Sequence, residues 1–415
     1  MEETVPLLEQ QARQLLSAAA VRARAQQLLQ HGLGGRLDHF MVDLDRLGAC
    51  ADEVLTTIEA AYPSLEIPFH ARWRHFAAGG FKRWVTIART APWPDAAAKA
   101  RAAFDLAIVS VLLDAGAGAD WRYVEGRTGE TYTRSEGLAI ASFDMFIGGA
   151  FSNRPEDPFR VDAAALTAFD TEELARGFQA RVDNPLLGIE GRAALLNRLG
   201  EVVAAAPEVF GRSDDPRPGG LFDVLAGQAE EGRIAAPRIL EALLLNLGAI
   251  WPGRIRLGGI DLGDTWRHPR VHAADSTDGL VPFHKLSQWL AYSLVEPLQW
   301  AGLTVTDMDG LTGLPEYRNG GLFIDTAVLH LKNPDEAGHP HAVDSRLVVE
   351  WRALTVALLD RIAPLIRARL GLRDAEFPLA KVLEGGTWAT GRRLARARRA
   401  DAAPPLTVIS DGTVF

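Results

Sequence analysis

The sequence predicts a mainly α-helical protein, and three observations carry that expectation. Long segments place apolar residues three and four apart. Strand signals are few and short, and no self-similarity recurs at the roughly 20–50-residue period of solenoids and propellers. At 415 residues the chain exceeds one ordinary domain of about 150 residues. Two linker-like breaks, FSNRPEDPFR (151–160) and GRSDDPRPGG (211–220), are short and not low in complexity, so they read as loops. Residues 1–415 are therefore expected to form a single compact unit of two helical lobes, with a boundary near 205–220.

The elements follow in order. Residues 7–31 carry leucines and alanines among Gln and Arg and stop at Gly32, which predicts a helix. Val42 to Ala61 behaves similarly and ends before Tyr62-Pro63. Asp95 to Ala115 is a long helix whose second half, FDLAIVSVLLDAG, is apolar nearly all round and so belongs in the core. Further helices are expected over Ser135–Ile147, Thr171–Arg181, Arg192–Ala205, Ala236–Leu247, Phe283–Trp300 and Val343–Leu370. RIRLGGIDLGDTW (254–266) reads as a hairpin with a Gly-Gly turn, GLFIDTAVLHL (321–331) as a strand, and PLTVISDGTVF (405–415) as a terminal strand or hairpin.

Composition excludes several classes. Almost half the residues are apolar, and no run of about 18 apolar residues occurs, so no membrane partner is expected. The start, MEETVPLLEQQARQLL, lacks the pattern of a secretory signal, and a cytoplasmic location is the expectation. A net charge of −9 with no long basic run argues against binding a nucleic-acid polymer. The single cysteine, Cys50, reads as a small buried hydrophobe. Phosphate-binding, dinucleotide, nucleophile-elbow and HExxH signatures are all missing, so no cofactor is expected. WRHPRVHAAD (266–275) brings His268, His272 and Asp275 together without a helix to present them, and is read as a loop rather than a metal site.

Five stretches hold chemistry-bearing residues. In VPFHKLSQWLAYSLVEPL (281–298), Lys285, Gln288 and Tyr292 fall at i, i+3 and i+7, a polar stripe on an apolar helix. Such a stripe suits a lined pocket; the alternative is a snorkelling lysine and an amide that caps a neighbour's backbone. In LPEYRNGGLFID (314–325), Glu316 next to Arg318 would have its pKa lowered by the cation, and Asn319-Gly320-Gly321 would allow a backbone turn. A solvated ion pair in a loop is the alternative. GGTWATGRRLARARR (385–399) reads as a helix start whose N–H groups, with Arg392 or Arg393, would hold an anion. PFHARWRHF (68–76) offers His70, Arg72, Trp73, Arg74 and His75, and DWRY (120–123) offers Trp121, as aromatic and cationic walls for a planar group or as core packing.

From FHKLSQWLAYSLVEPL through LTGLPEYRNGGLFID, and again in WRHF, LLDAGAGADWRY, RSEGLAIASFDMF, IWPGR, GGTWATGR and SDGTVF, the chain resembles the uracil catabolism protein 4 family over nearly its whole length. That resemblance implies a step in the breakdown of uracil through ribosylated intermediates to urea. More distantly it resembles the queuosine salvage proteins, N-ribosyl hydrolases with a fold similar to helical DNA glycosylases. Phe283, Lys285 and Gln288 match their Phe-x-Lys-x-x-Gln helix, and Leu311, Thr312, Glu316, Tyr317, Arg318 and Leu322 match their Leu-Thr-x-x-x-Asp-Tyr-Arg-x-x-x-Leu motif. Glu stands in place of Asp, and Asn319-Gly320-Gly321 replaces the usual continuation.

This second resemblance implies Lys285 on a 5′-phosphate and Glu316 at the anomeric carbon; Gln288, Tyr317, Arg318, Asn319, Trp73, Trp121 and Arg392, from the stretches above, are the further candidate substrate contacts. A metal-independent N-glycoside hydrolase is then expected, acting on a small phosphorylated ribosyl compound such as ribosylurea 5′-phosphate or a nucleoside 5′-monophosphate. A leaving group such as urea also needs a proton, for which Asp325, Asp309 and Asp114 are candidates, Asp325 first. Two alternatives stay open: an amidohydrolase or ring-opening enzyme on a uracil-derived nucleotide, and a non-catalytic nucleotide-binding subunit. A homodimer is likewise left open.

Overall fold

The computed structural model describes residues 4–114, 116–211, 215–251, 255–399 and 401–409, and they are mainly helical as expected. Strands among the described residues form six two-stranded sheets. None of the helices described is long and apolar enough to cross a membrane.

The chain divides into two units. One holds Met1–His70, Gly253–Gln288 and Asp307–Phe415; the other holds Ala71–Pro252 and Trp289–Thr306. Residues 205–220, where the sequence placed a boundary, lie inside the second unit. The physical reason is Asp105, fully buried in the helix Ala96–Leu112. Its carboxylate accepts from the Arg217 guanidinium at 2.9 Å, from the Gly219 N–H at 2.5 Å and from the Val161 N–H at 3.0 Å. The stretch 211–220, and the residue that follows 151–160, are thus fastened to one core helix.

Around that helix, Arg134–Ile147, Ile189–Ala205 and Ala236–Leu247 bury their apolar residues to complete the second unit. Asp95 caps Ala96–Leu112 by accepting from the Ala98 N–H at 2.7 Å, and twelve consecutive and near-consecutive positions of the helix, Phe104 to Leu112 among them, are buried as its composition predicts. Each buried Leu, Ile or Val contributes roughly 1.5–3 kcal/mol of apolar transfer.

The first unit is built on the 25-residue helix Arg346–Leu370, which packs against Ala18–Leu33, Leu47–Ala61 and Tyr317–Asp325. Cys50, on the second of these, is completely buried, and burial pushes its thiol up to about 12. Expected and observed elements differ at three places here. The stretch 7–31 forms two helices, Val5–Leu15 and Ala18–Leu33, because Ser17 turns extended and its hydroxyl accepts from the Ala20 N–H, a serine cap inside the apolar pattern. Residues 42–61 begin as a strand, Phe40–Val42, paired antiparallel with Leu329–Leu331, before the helix Leu47–Ala61. Of 321–331, only those last three residues are strand, since Gly321–Asp325 complete a helix. The predicted hairpin is present as Arg256–Leu257 paired with Ile260–Asp261, turning through Gly258 and Gly259 at φ 56° and 82°. Thr407–Ile409 pairs in parallel with Pro340–Ala342; SDGTVF lies outside the described residues.

Candidate active site

Glu316 is the N-cap of the helix Tyr317–Asp325. Its backbone is extended, and its two carboxylate oxygens accept from the N–H groups of Arg318 at 2.7 Å and Asn319 at 2.5 Å. Only 8% of the residue is exposed. Burial pushes its carboxyl pKa up, and the two N–H groups, the Lys285 ammonium and the His70 imidazole offset part of that rise. The net direction is upward, opposite to the expectation from sequence. The Arg318 guanidinium is turned away: it donates to the Ala402 carbonyl at 2.9 Å and lies 4.9 Å above the Tyr317 ring. The expected loop is therefore a helix start, and the two glycines sit inside the helix. Gly320 is required by close packing, since a Cβ there would meet the Trp351 indole at 2.7 Å. Asn319 donates to the Leu314 carbonyl at 3.1 Å, while its buried Oδ1 has no hydrogen-bond partner among the described residues.

Lys285 opens the helix Lys285–Trp300, and a buried ion pair fixes that opening. Asp264 accepts from the Lys285 N–H at 3.0 Å, from the Trp266 indole at 2.7 Å and from both terminal nitrogens of Arg352 at 2.8 and 2.7 Å. Burial alone would raise the Asp264 pKa, but the Arg352 charge and these hydrogen bonds hold it well below the usual carboxylate range. The Arg352 guanidinium lies 4.2 Å over the Phe283 ring, and its Nε reaches the Pro315 carbonyl at 3.4 Å. One arginine therefore ties the start of the Lys285 helix to the residue before Glu316. His284 adopts a left-handed φ of 48° between strand and helix, a strained position of the kind found at functional sites.

Gln288 does not face a ligand. It is fully buried, its amide oxygen accepts from the Thr312 N–H at 2.9 Å, and its amide nitrogen donates to the Thr312 hydroxyl. The backbone-capping alternative describes it, and it fastens the loop that delivers Glu316.

His70, one of the candidates in PFHARWRHF, is joined by Glu384, which sequence reading missed. Their Nδ1 and Oε2 are 2.7 Å apart, and both side chains are mostly buried yet accessible, at 14% and 19% exposure. Glu384 sits on a π-turn, Leu383–Thr387, that joins Leu379–Val382 to Trp388–Arg398 without a break. The expected helix start at Gly385-Gly386 is thus a helix interior whose glycines admit Ile67 and Val54, so its N–H groups cannot cradle an anion. π-turns inside helices often mark functional positions. Arg392 stacks 5.5 Å over Trp388 and Arg393 pairs with Glu53 at 2.5 Å. The signal available for Arg352 was a charged residue that, with Glu350, interrupts the apolar run LVVEWRALTVALL and so demands a buried partner. Asp264 and Glu384 carried no local signal.

The other candidates are placed elsewhere. Asp325 ends the Glu316-capped helix, roughly 13 Å along its axis from Glu316, and is held by Arg399 at 2.9 and 2.6 Å. Asp309 pairs with Arg367 and accepts from the Leu379 N–H at 2.7 Å. Asp114 lies in the second unit, 3.2 Å from the fully buried Arg72. Trp73 and Trp121 also belong to the second unit and are core residues: their indoles donate to the carbonyls of Ser293 at 2.6 Å and Phe178 at 2.9 Å. His268 is buried against Glu350, His272 is exposed near Asp278, and Asp275 accepts from Thr277, so these three do not converge.

Comparison with known proteins agrees with the whole-chain resemblance. A family model described as "Protein of unknown function (DUF1688)" matches residues 14–415. Protein urg3 of Schizosaccharomyces pombe is 38% identical over 410 residues, covering 97% of this chain and 98% of that protein. Uracil catabolism protein 4 of Lachancea kluyveri is 36% identical over 415 residues, covering 92% and 93%.

Proposed function

Because the chain belongs to the DUF1688 family, with uracil catabolism protein 4 among its relatives, we propose that it acts in uracil catabolism as an N-ribosyl hydrolase on a small phosphorylated ribosyl compound such as ribosylurea 5′-phosphate. The observation that carries this reading is Glu316: a buried carboxyl fixed by two backbone N–H groups, with Lys285 and His70 near enough to act on its charge.

Cleavage of an N-ribosyl bond passes through an oxocarbenium-like state. A preoriented carboxylate in a water-poor setting stabilises that positive charge and aligns the attacking water. Glu316 takes this role. Lys285 holds the 5′-phosphate through its ammonium, while its backbone N–H is taken by Asp264. Asn319 Oδ1 accepts from a sugar hydroxyl or the leaving ureide. No step is routed through a metal. A helical fold similar to that of queuosine salvage proteins, and action in the cytoplasm, belong to the same proposal.

The test is incubation of the purified protein with ribosylurea 5′-phosphate and with uridine monophosphate, with and without chelator, scoring urea, uracil and ribose 5-phosphate. Urea and ribose 5-phosphate are expected in equal amounts from the first substrate, and Glu316→Gln should lower kcat by about 10²–10³-fold. Release of ammonia without ribose 5-phosphate would replace this reading with an amidohydrolase.

A further inference from the structure

Resting on that hydrolase reading, we propose that His70, oriented by Glu384, is the acid that protonates the departing nitrogen.

The pair lies beside the helix that Glu316 caps. Glu384 projects from the π-turn Leu383–Thr387, which packs on the helix capped by Glu316. The following helix, Trp388–Arg398, approaches the same helix so closely that a Cβ on Gly391 would lie 2.2 Å from the Arg318 carbonyl. His70 is anchored to this structure twice, by its N–H to the Ala380 carbonyl at 3.2 Å and by Nδ1 to Glu384 at 2.7 Å. The turn that holds its Glu384 partner packs on the helix capped by Glu316, which brings the imidazole and the Glu316 carboxyl toward one locus. With Nδ1–H donated to the Glu384 carboxylate, Nε2 is the ring atom that carries the transferable proton, and the carboxylate stabilises the imidazolium. The carboxylates first considered for this task are each held by an arginine.

The step balances. The C1′–N bond breaks, its electron pair goes to the urea nitrogen, and that nitrogen takes the proton from His70 Nε2. Water oxygen bonds to C1′ and its proton passes to Glu316. Proton exchange with solvent restores imidazolium and carboxylate, and the net reaction is hydrolysis. Thr387, on the same π-turn, has a buried hydroxyl without a hydrogen-bond partner among the described residues.

A substrate whose leaving group needs no proton separates this role from a structural one. His70→Gln and Glu384→Gln are compared with wild type on ribosylurea 5′-phosphate and on 4-nitrophenyl β-ribofuranoside 5-phosphate, with circular dichroism to confirm folding. His70→Gln should lose about 10²–10⁴-fold in kcat on the ureide and under about tenfold on the nitrophenyl compound. Glu384→Gln, which keeps the packing, should show the same selectivity with a smaller loss. Equal losses on both substrates, with wild type active on both, overturn the assignment of His70 and leave the hydrolase reading standing. A wild type that cleaves neither substrate overturns both.

Discussion

Replacing Arg352 with methionine tests whether the Asp264–Arg352 pair holds the site together. Arg352 is 1% exposed and Asp264 is buried, so the substitution leaves a carboxylate without its counter-ion. Breaking such a pair costs about 3–5 kcal/mol. Trp266 and Lys285 continue to donate to Asp264, which places the expectation near the lower end, about 3 kcal/mol. Asp264→Asn combined with Arg352→Met removes the stranded charge and should recover at least about 1 kcal/mol.

The pH dependence has a definite sign. In the wild type the Asp264 pKa lies below its ordinary 3.8, so the pair's stabilisation is present above that value and is lost as pH falls through the lower folded value. In Arg352→Met, burial acts unopposed by the guanidinium and raises the carboxyl pKa, so the folded variant takes up a proton more readily than the unfolded chain. The gap between variant and wild type must then narrow on going from pH 7 to pH 5. Urea unfolding followed by tryptophan fluorescence at both pH values measures it. A gap under about 1 kcal/mol at pH 7, or one that does not change with pH, would refute the reasoning.

Two further outcomes are expected. Lys285→Ala should raise KM for ribosylurea 5′-phosphate but not for the unphosphorylated nucleoside. It should also move the acid limb of kcat/KM to higher pH, because Lys285 is one of the groups opposing the burial-driven rise of the Glu316 pKa; an unmoved limb would separate the two residues. Asp325→Asn should lower stability by about 1–3 kcal/mol, less than a wholly buried pair because Arg399 is 26% exposed, with kcat per folded molecule unchanged. A large fall in kcat would return Asp325 to the chemistry.

Helices were legible wherever apolar spacing was sustained: Ala236–Leu247 matches its expected bounds, and Lys285–Trp300 and Arg346–Leu370 differ only at their starts. Misreadings arose where one local pattern fits two geometries. Asn-Gly-Gly suits a turn, but the same glycines also suit a helix pressed against Trp351. Gly-Gly-Thr suits a helix start, but here it lets a π-turn pack on Val54, Ile58 and Ile67, which are remote in sequence. Lys285 and Glu316 could be singled out because each lies in a recognisable stretch. Glu384 and Asp264 were not, because their significance is created only by partners brought near by folding.

The division of the first unit among three stretches of sequence bears on how it is made. His70 and Glu384 are 314 positions apart, so at a ribosomal rate of about 5–20 residues per second the histidine waits roughly 15–60 s for its partner to be synthesised. Throughout that interval its segment has no completed core to join, and closing so wide a separation carries an entropic penalty before any contact forms. Premature termination anywhere before the π-turn yields a chain that can never assemble the dyad, whereas the other unit, 71–252 with 289–306, is fully synthesised well before the π-turn.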